Sequence, residues 1–214
     1  MITVYYAQSL DKLDDPIISA YLNLFPAEIE NKIRRFRRWQ DAQASLLGKI
    51  LLKKGLEDLC LNSHLKDLKY TKYGRPYLEN ALSFNISHSG PYIVCAFSSK
   101  GVIGADIEQM DPIRIEDFQM VFNDDEWCAI TNFPNLSYAF YYYWTAKEAI
   151  LKADGRGLSI PLKALSIEKA SCCFDDKIWH YKTVSLFDNC ILQIASDNQI
   201  EEISLVEVKV TKPQ

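Results

Sequence analysis

The segment from residue 101 to residue 111, GVIGADIEQMD, constrains the fold of this chain most strongly. A glycine opens an apolar run there, which predicts a buried β-strand. Side chains two residues apart on a strand share a face, so Asp106 and Glu108 would lie together on a mostly apolar surface. Two such carboxylates repel each other and lose hydration, and a protein core does not hold them without a compensating cation. A hard divalent ion is the predicted partner.

A second segment, WTAKEAILKADGRGL from residue 144 to residue 158, predicts a helix followed by a glycine-rich loop. Glu148 and Lys152 are one helical turn apart on that helix. If the helix packs beside the strand, Glu148 supplies a third carboxylate and Lys152 supplies a positive charge. Mg²⁺ usually binds few protein carboxylates, keeps some water and accepts phosphate oxygens. Together the two segments predict a Mg²⁺ site for a phosphorylated ligand.

Each segment alone has a simpler interpretation. An aspartate and a glutamate two residues apart on a strand usually form a half-exposed polar face. A glutamate and a lysine four residues apart on a helix usually form a surface pair worth about 0.3–0.5 kcal/mol. Their joint occurrence, in this order and with the glycine-rich loop directly after, favours the ligand site.

The pair GADIE and WTAKEAILKADGRGL resembles the two signature motifs of the phosphopantetheinyl transferases, specifically the Sfp-like (surfactin-synthetase-activating) group. The resemblance runs from residue 5 to about residue 192 and is densest between residues 73 and 162. It implies an enzyme that transfers the 4'-phosphopantetheine arm of coenzyme A to a serine of an apo carrier protein, releasing adenosine 3',5'-bisphosphate. The carrier would serve fatty-acid, polyketide or nonribosomal-peptide synthesis.

The resemblance also implies roles for the residues of both motifs. Mg²⁺ would be held by Asp106, Glu108 and Glu148. Lys152 would stabilise the phosphoryl group in transfer, and Glu148 is a candidate general base. Glu126 is a second candidate, because it matches a family glutamate near the metal site. It also lies three residues after Asn123, so it can equally complete a helix capping box, and the sequence leaves both interpretations open.

Two further motifs are expected to bind coenzyme A. Gly74, Arg75 and Pro76 predict a tight turn between two short strands, and the resemblance places them at the adenine end of the cofactor. The segment FNISHSG places Ser87 and His88 at the end of a predicted strand. A histidine at a strand end is more often structural, but the resemblance implies that both residues contact coenzyme A, with His88 at the 3'-phosphate.

A basic stretch between residues 26 and 38 predicts a helix with a charged face. Such a face is usually only solvated, yet it is the densest source of positive charge in an acidic chain. The resemblance selects Lys32 and Arg35 as peripheral phosphate contacts, although Ile29 and Ala44 stand where the family commonly has basic residues. Asp41 is predicted to cap the following long apolar helix, which extends to about Cys60 and is assigned no chemistry.

The order of strand, helices and hairpins occurs twice, which predicts an α+β fold with two similar halves. The resemblance implies a pseudo-dimer, each half with an antiparallel sheet packed by a long helix. Residues 1–100 would form the half that contacts the nucleotide, and residues 101–214 the half with the metal site and catalytic helix. The runs after residue 161, up to residue 210, are predicted to form an antiparallel meander.

Composition narrows the functional classes. A formal net charge of −4 argues against general nucleic-acid binding, and no apolar run approaches the ~20 residues that span a bilayer. The six cysteines lack C-x-x-C spacing and are expected to be reduced core residues of a monomeric, cytoplasmic protein. Two functions are alternatives to the transfer of phosphopantetheine. One is metal-dependent hydrolysis of a nucleotide pyrophosphate, and the other is carrier binding without catalysis.

Overall fold

The computed structural model describes residues 1–79 and 82–211, and it confirms the α+β class. The first half contains β1 (Ile2–Gln8), α1 (Asp15–Leu22), α2 (Ala27–Arg34), α3 (Trp39–Asp58), β2 (Lys69–Tyr70), β3 (Pro76–Tyr77), β4 (Ser83–Ser89) and β5 (Tyr92–Ser98). The second contains β6 (Ile103–Gln109), α4 (Asp124–Thr131), α5 (Leu136–Asp154), β7 (Ser171–Phe174), β8 (Lys177–Val184), β9 (Cys190–Ser196) and β10 (Ile203–Glu207). Among these helices, none is long and apolar enough to cross a membrane.

The first sheet has the strand order β10-β1-β5-β4, and α3 packs on one face of it. Strands β1, β5 and β4 are antiparallel. Helix α3 buries leucine and isoleucine side chains against that face, as its apolar sequence predicts. It begins at Trp39 after an extended Arg38, so the prediction that Asp41 is the cap is wrong. Asp41 lies in the first turn, where a carboxylate still complements the helix dipole.

The second sheet has the order β6-β9-β8-β7 and is antiparallel throughout. Helix α5 packs over β6 and β9, and its apolar residues form one core with Trp179 and Tyr181 of β8. Each half therefore pairs a sheet with one long helix, which confirms the predicted two-half fold.

The last strand does not belong to the second sheet. β10 pairs in parallel with β1, in a register that sets Ile203 opposite Ile2. The prediction that it extends an antiparallel meander is wrong, and the run around Leu165 is a short 3-10 turn rather than a strand. Alternating side chains identify a strand but not the edge that it joins, because pairing depends on residues distant in the chain.

The two sheets meet where the edge strands β4 and β6 run side by side. Alternate polar side chains of β4 accept hydrogen bonds from alternate backbone amides of β6, and we call this arrangement the polar ladder. Its pairs are Ser83–Ile103 at 3.1 Å, Asn85–Ala105 at 3.0 Å, Ser87–Ile107 at 3.3 Å and Ser89–Gln109 at 3.1 Å. The edge amides of β6 are thereby satisfied without backbone pairing between the sheets.

The cysteines are less buried than expected. All six are unpaired, but only Cys95 and Cys172 lie in the core, whereas Cys60, Cys128 and Cys173 are exposed. The prediction that the cysteines are core residues is wrong for the three exposed ones. Their side chains do not lie on the buried face of the helix or strand beside them. Cys173, for example, follows buried Cys172 on β7 and points to the opposite side.

Candidate active site

Gly104 brings α5 into contact with the backbone of β6. A Cβ atom at this position would lie 2.0 Å from the carbonyl oxygen of Ala149 and 2.5 Å from the amide nitrogen of Ala153. Only glycine permits so close an approach. Gly104, Asp106 and Glu108 alternate on the same strand, so the two predicted carboxylates share the face that α5 covers.

Asp106, Lys152 and Ser87 form the centre of the site. The Lys152 ammonium lies 2.5 Å from Asp106 Oδ1 and donates to Ser87 Oγ at 2.9 Å. The Ser87 hydroxyl donates to the same Asp106 oxygen at 3.2 Å. Asp106 is only 3% exposed, and its Oδ2 has no hydrogen-bond partner within the described residues. One carboxylate oxygen is thus paired with the ammonium, and the other is buried without a hydrogen-bond partner among the described residues.

Glu108 and Glu148 are half-buried beside this centre. The Ser89 hydroxyl donates to Glu108 Oε2 at 2.6 Å, whereas Glu148 has no hydrogen-bond partner in the part of the chain described. Burial raises the pKa of Glu148, and the Asp106 charge raises it further. Burial also raises the pKa of Glu108 and, against the opposing Lys152 charge, that of Asp106. The three carboxylates are therefore crowded groups whose ionised forms an added cation would stabilise.

The residues present fit a Mg²⁺ ion that is shared with a ligand. Within residues 1–79 and 82–211, no group of three His, Cys, Asp or Glu side chains is arranged to hold a metal ion without further ligands. The donors at hand are carboxylate oxygens, which Mg²⁺ prefers, and Asp106 Oδ2 is an unsatisfied buried acceptor. An open arrangement suits an ion that keeps water and takes phosphate oxygens from a bound molecule.

The predicted nucleotide turn lies beside the end of α5. Gly74 has a φ of 83°, as the tight turn requires, and Pro76 begins β3. The β2–β3 hairpin and the loop at Gly155 and Arg156 line a cavity of about 590 Å³. Arg75 lines this cavity, and its guanidinium also donates hydrogen bonds to backbone carbonyl groups of the second half.

His88 directly follows Ser87 on β4, and its side chain therefore points to the opposite face of the strand from the central cluster. Its side chain is exposed and lines a cavity of about 480 Å³ together with Arg38 and Asp41. The protein around the ring still desolvates it in part, and this desolvation, followed by the Lys152 charge, lowers the pKa of His88. The imidazole is therefore held mainly neutral near pH 7 unless an anion binds beside it.

Lys32 lines a different cavity, of about 290 Å³, together with Ser45 of α3. Its ammonium lies 5.3 Å from the centre of the Tyr70 ring. Arg35 is exposed at the C-cap of α2 and lines neither this cavity nor that of His88. Of the two predicted phosphate contacts, Lys32 therefore lines a cavity, whereas Arg35 lies outside both of these cavities.

Lys49 is a candidate residue that the sequence analysis missed. It lies on α3 one turn after Ser45, and both line the Lys32 cavity. Burial and the Lys32 charge lower the pKa of Lys49, and no carboxylate of the described residues forms an ion pair with it. The signal in the sequence is a single lysine inside the apolar run LLGKILL, a pattern that otherwise predicts a core helix without chemistry.

Glu126 has a full set of structural partners. The predicted capping box is confirmed, because the Asn123 side chain accepts from the Glu126 amide at 2.8 Å and Glu126 Oε2 accepts from the Asn123 amide at 2.9 Å. The Lys147 ammonium, fully buried, lies 2.7 Å from the same oxygen, and the Ile167 amide donates to the other at 2.8 Å. None of these partners belongs to the Asp106 cluster, so the structure supports the capping role.

A carboxylate cluster and a cavity of about 590 Å³ lie where the two α+β halves meet, an arrangement typical of enzymes that act on phosphorylated ligands. Two family models match the chain in tandem: "4'-phosphopantetheinyl transferase, N-terminal" over residues 15–100, and "4'-phosphopantetheinyl transferase superfamily" over residues 102–189. The chain belongs to the 4'-phosphopantetheinyl transferase superfamily and is a transferase, which confirms the family predicted from its motifs.

Individual relatives place it in the Sfp-like group. The chain is 31% identical to the 4'-phosphopantetheinyl transferase gsp of Aneurinibacillus migulanus over 173 residues, covering 79% of this chain and 72% of the relative. It is 32% identical to the 4'-phosphopantetheinyl transferase Sfp of Bacillus subtilis (strain 168) over 153 residues, covering 69% and 67%. A Xenopus laevis L-aminoadipate-semialdehyde dehydrogenase-phosphopantetheinyl transferase is 31% identical over 160 residues, covering 66% and 53%.

Proposed function

We propose that this protein transfers the 4'-phosphopantetheine arm of coenzyme A to a serine of an apo acyl, polyketide or peptidyl carrier protein. The reaction depends on Mg²⁺ and releases adenosine 3',5'-bisphosphate. The observation that carries the proposal is the cluster of Asp106, Lys152 and Ser87, flanked by Glu108 and Glu148, where the two halves meet. It combines oxygen ligands for a cation with an ammonium for a phosphoryl group.

The nucleotide end of coenzyme A would occupy the cavities lined by the β2–β3 hairpin. Arg75 and Pro76 line the larger cavity, which has room for the adenine, and Gly74 forms the turn that precedes them. Lys32 and Lys49, with Ser45, would hold a phosphate in the smaller one, because both lysines line it and neither is paired with a carboxylate of the described residues. His88 would add a hydrogen bond to the 3'-phosphate, and Arg35 is left outside this set.

The chemistry needs a base and a group that stabilises transferred charge. Glu148 is the base that we propose, because its carboxylate has no hydrogen-bond partner among the described residues, and the oxygen that does not bind Mg²⁺ could accept the proton of the carrier serine. The serine oxygen then attacks the β-phosphorus, and the bond from that phosphorus to the leaving adenosine bisphosphate breaks. Lys152 stabilises the equatorial oxygens during this step. Mg²⁺ bound by Asp106, Glu108 and Glu148 would neutralise the pyrophosphate charge.

The proposed setting follows from two features of the chain. Both halves of the site come from one chain, so a monomer suffices. Six unpaired cysteines, three of them exposed, suit a reducing compartment, and we place the protein in the cytoplasm.

The proposal is tested by incubating the protein with coenzyme A, Mg²⁺ and an apo carrier protein, followed by intact mass measurement of the carrier. We expect a mass gain equal to one phosphopantetheine arm, located on a serine. A carrier whose serine is replaced by alanine is the control and should gain nothing. Release of adenosine bisphosphate without a mass gain would instead support the alternative, hydrolysis of a nucleotide pyrophosphate.

A further inference from the structure

The Arg75 side chain crosses from the first half to the second. Its guanidinium donates to the carbonyl oxygen of Ala153 and, at 2.9 Å, to that of Ile103. It also donates to Ser83 Oγ at 3.3 Å, the hydroxyl that begins the polar ladder. Arg75 therefore joins the β2–β3 hairpin to three elements at once: the end of α5, the start of β6 and the start of β4.

The bond to Ala153 lies at a sensitive point of α5. The last four carbonyl groups of a helix have no partner inside the helix, and the negative end of the helix dipole favours a cation there. The helix ends at Asp154, and Gly155 follows in a left-handed conformation with a φ of 90°. A side chain at Gly155 would lie 3.1 Å from Arg75 Cδ, so the arginine packs directly against this helix end.

The same helix carries the residues of the proposed chemistry. Lys152 immediately precedes Ala153, and Glu148 lies one turn earlier. A shift of the last turn of α5 would therefore move the Lys152 ammonium relative to Asp106, from which it is 2.5 Å distant. The hairpin that holds Arg75 also borders the cavity for the nucleotide.

We propose that Arg75 is a positioning residue that couples the nucleotide-binding hairpin to the orientation of α5, an inference that rests on the proposed transfer reaction. Arginine suits this role because its planar fork can reach two carbonyl groups together, which a lysine ammonium on a single stem cannot do with the same geometry. A residue that only bound nucleotide would affect KM for coenzyme A alone.

The first test is kinetic. We expect Arg75→Met to lower kcat about tenfold in a folded protein, and Arg75→Lys to lower it by a smaller factor. If Arg75 acts through Lys152, the same substitution in a Lys152→Met background should lower kcat less than threefold. Lys69→Met is the matched control, because Lys69 lies on the same hairpin but pairs with exposed Glu79 of its own half. A change in KM alone, or additive effects on kcat, would overturn the proposal.

The second test needs no reaction and separates this proposal from the proposed function. Hydrogen exchange of ligand-free protein should speed up about tenfold in Arg75→Met for amides in the last turn of α5, but not in Lys69→Met. If the wild type transfers no phosphopantetheine yet this local change occurs, the proposed function fails and the link between hairpin and helix stands. Unchanged exchange at the end of α5 would refute the link, whatever the activity. Faster exchange throughout the protein would instead identify Arg75 as a general stabilising residue.

Discussion

Substitution of Gly104 by alanine should impair activity more than stability. The new methyl carbon would lie 2.0 Å from the Ala149 carbonyl oxygen, whereas carbon and oxygen atoms normally stay about 3.3 Å apart. Helix α5 must therefore retreat by about 1 Å, and a displacement of that size typically costs about 10²-fold in rate. Overpacking costs about 1–3 kcal/mol, which for a protein of this size lowers Tm by about 2–12 °C. Carrier modification followed by mass spectrometry, with thermal unfolding alongside, measures both effects.

Gly48→Ala is the matched control for this argument. Its methyl group would meet a side-chain methyl of Ile86 at 2.9 Å rather than rigid backbone, and alanine favours a helix over glycine by about 1 kcal/mol. We expect near-normal activity from this variant. If Gly104→Ala retained wild-type kcat and Tm, the close packing of α5 on β6 would not be what places Lys152 and Glu148.

Three other perturbations probe the site. Asp106→Ala should abolish transfer in a folded protein and remove any rise in Tm on adding Mg²⁺, because the metal loses a ligand and Lys152 loses its ion-pair partner. Full Mg²⁺-dependent activity in this variant would refute the metal assignment. His88→Ala should shrink the preference for coenzyme A over dephospho-coenzyme A by roughly 5- to 30-fold, the equivalent of about 1–2 kcal/mol for a charge-assisted hydrogen bond, and equal losses with both substrates would contradict a 3'-phosphate contact. The pKa of Glu148 is raised above 4.5 in the folded state. Between pH 4.5 and that raised pKa, the folded protein therefore binds more protons than the unfolded chain, and its free energy of unfolding falls as pH rises. In Mg²⁺-free buffer, Glu148→Gln should thus gain Tm over the wild type as pH increases, and a constant difference would show that Glu148 does not titrate as argued.

The parts of the site that sequence patterns predicted are local ones. The alternation of Gly104, Asp106 and Glu108 on one face follows from strand geometry, and helix spacing aligns Glu148 with Lys152. The capping box at Asn123 and Glu126 is likewise a short-range pattern, and the structure confirms it. Each of these predictions needed only the period of a single element.

The parts that could not be predicted depend on distant pairing. Nothing within residues 203–207 identifies β1 as the partner of β10, because that choice is made by packing across the molecule. Lys49 was missed because its neighbours fit an apolar core helix, and only the cavity shared with Lys32 gives it a role. The motif around Arg75 predicts only a nucleotide contact. Its hydrogen bonds to backbone carbonyl groups could not be predicted, because those partners lie 28 and 78 residues away in the chain.

The polar ladder has a consequence for how the two halves can change in evolution or by engineering. β4 and β6 are the outer strands of their sheets, and an outer strand with unpaired amides is a template for aggregation. A half produced alone would carry such an uncovered edge. An insertion of one residue in β4 after Ser83 would turn the remaining serines and asparagine to the opposite face and set Phe84, Ile86 and His88 against the β6 amides. Insertions in this protein should therefore be tolerated in its turns, whereas β4 and β6 must keep their length and phase together.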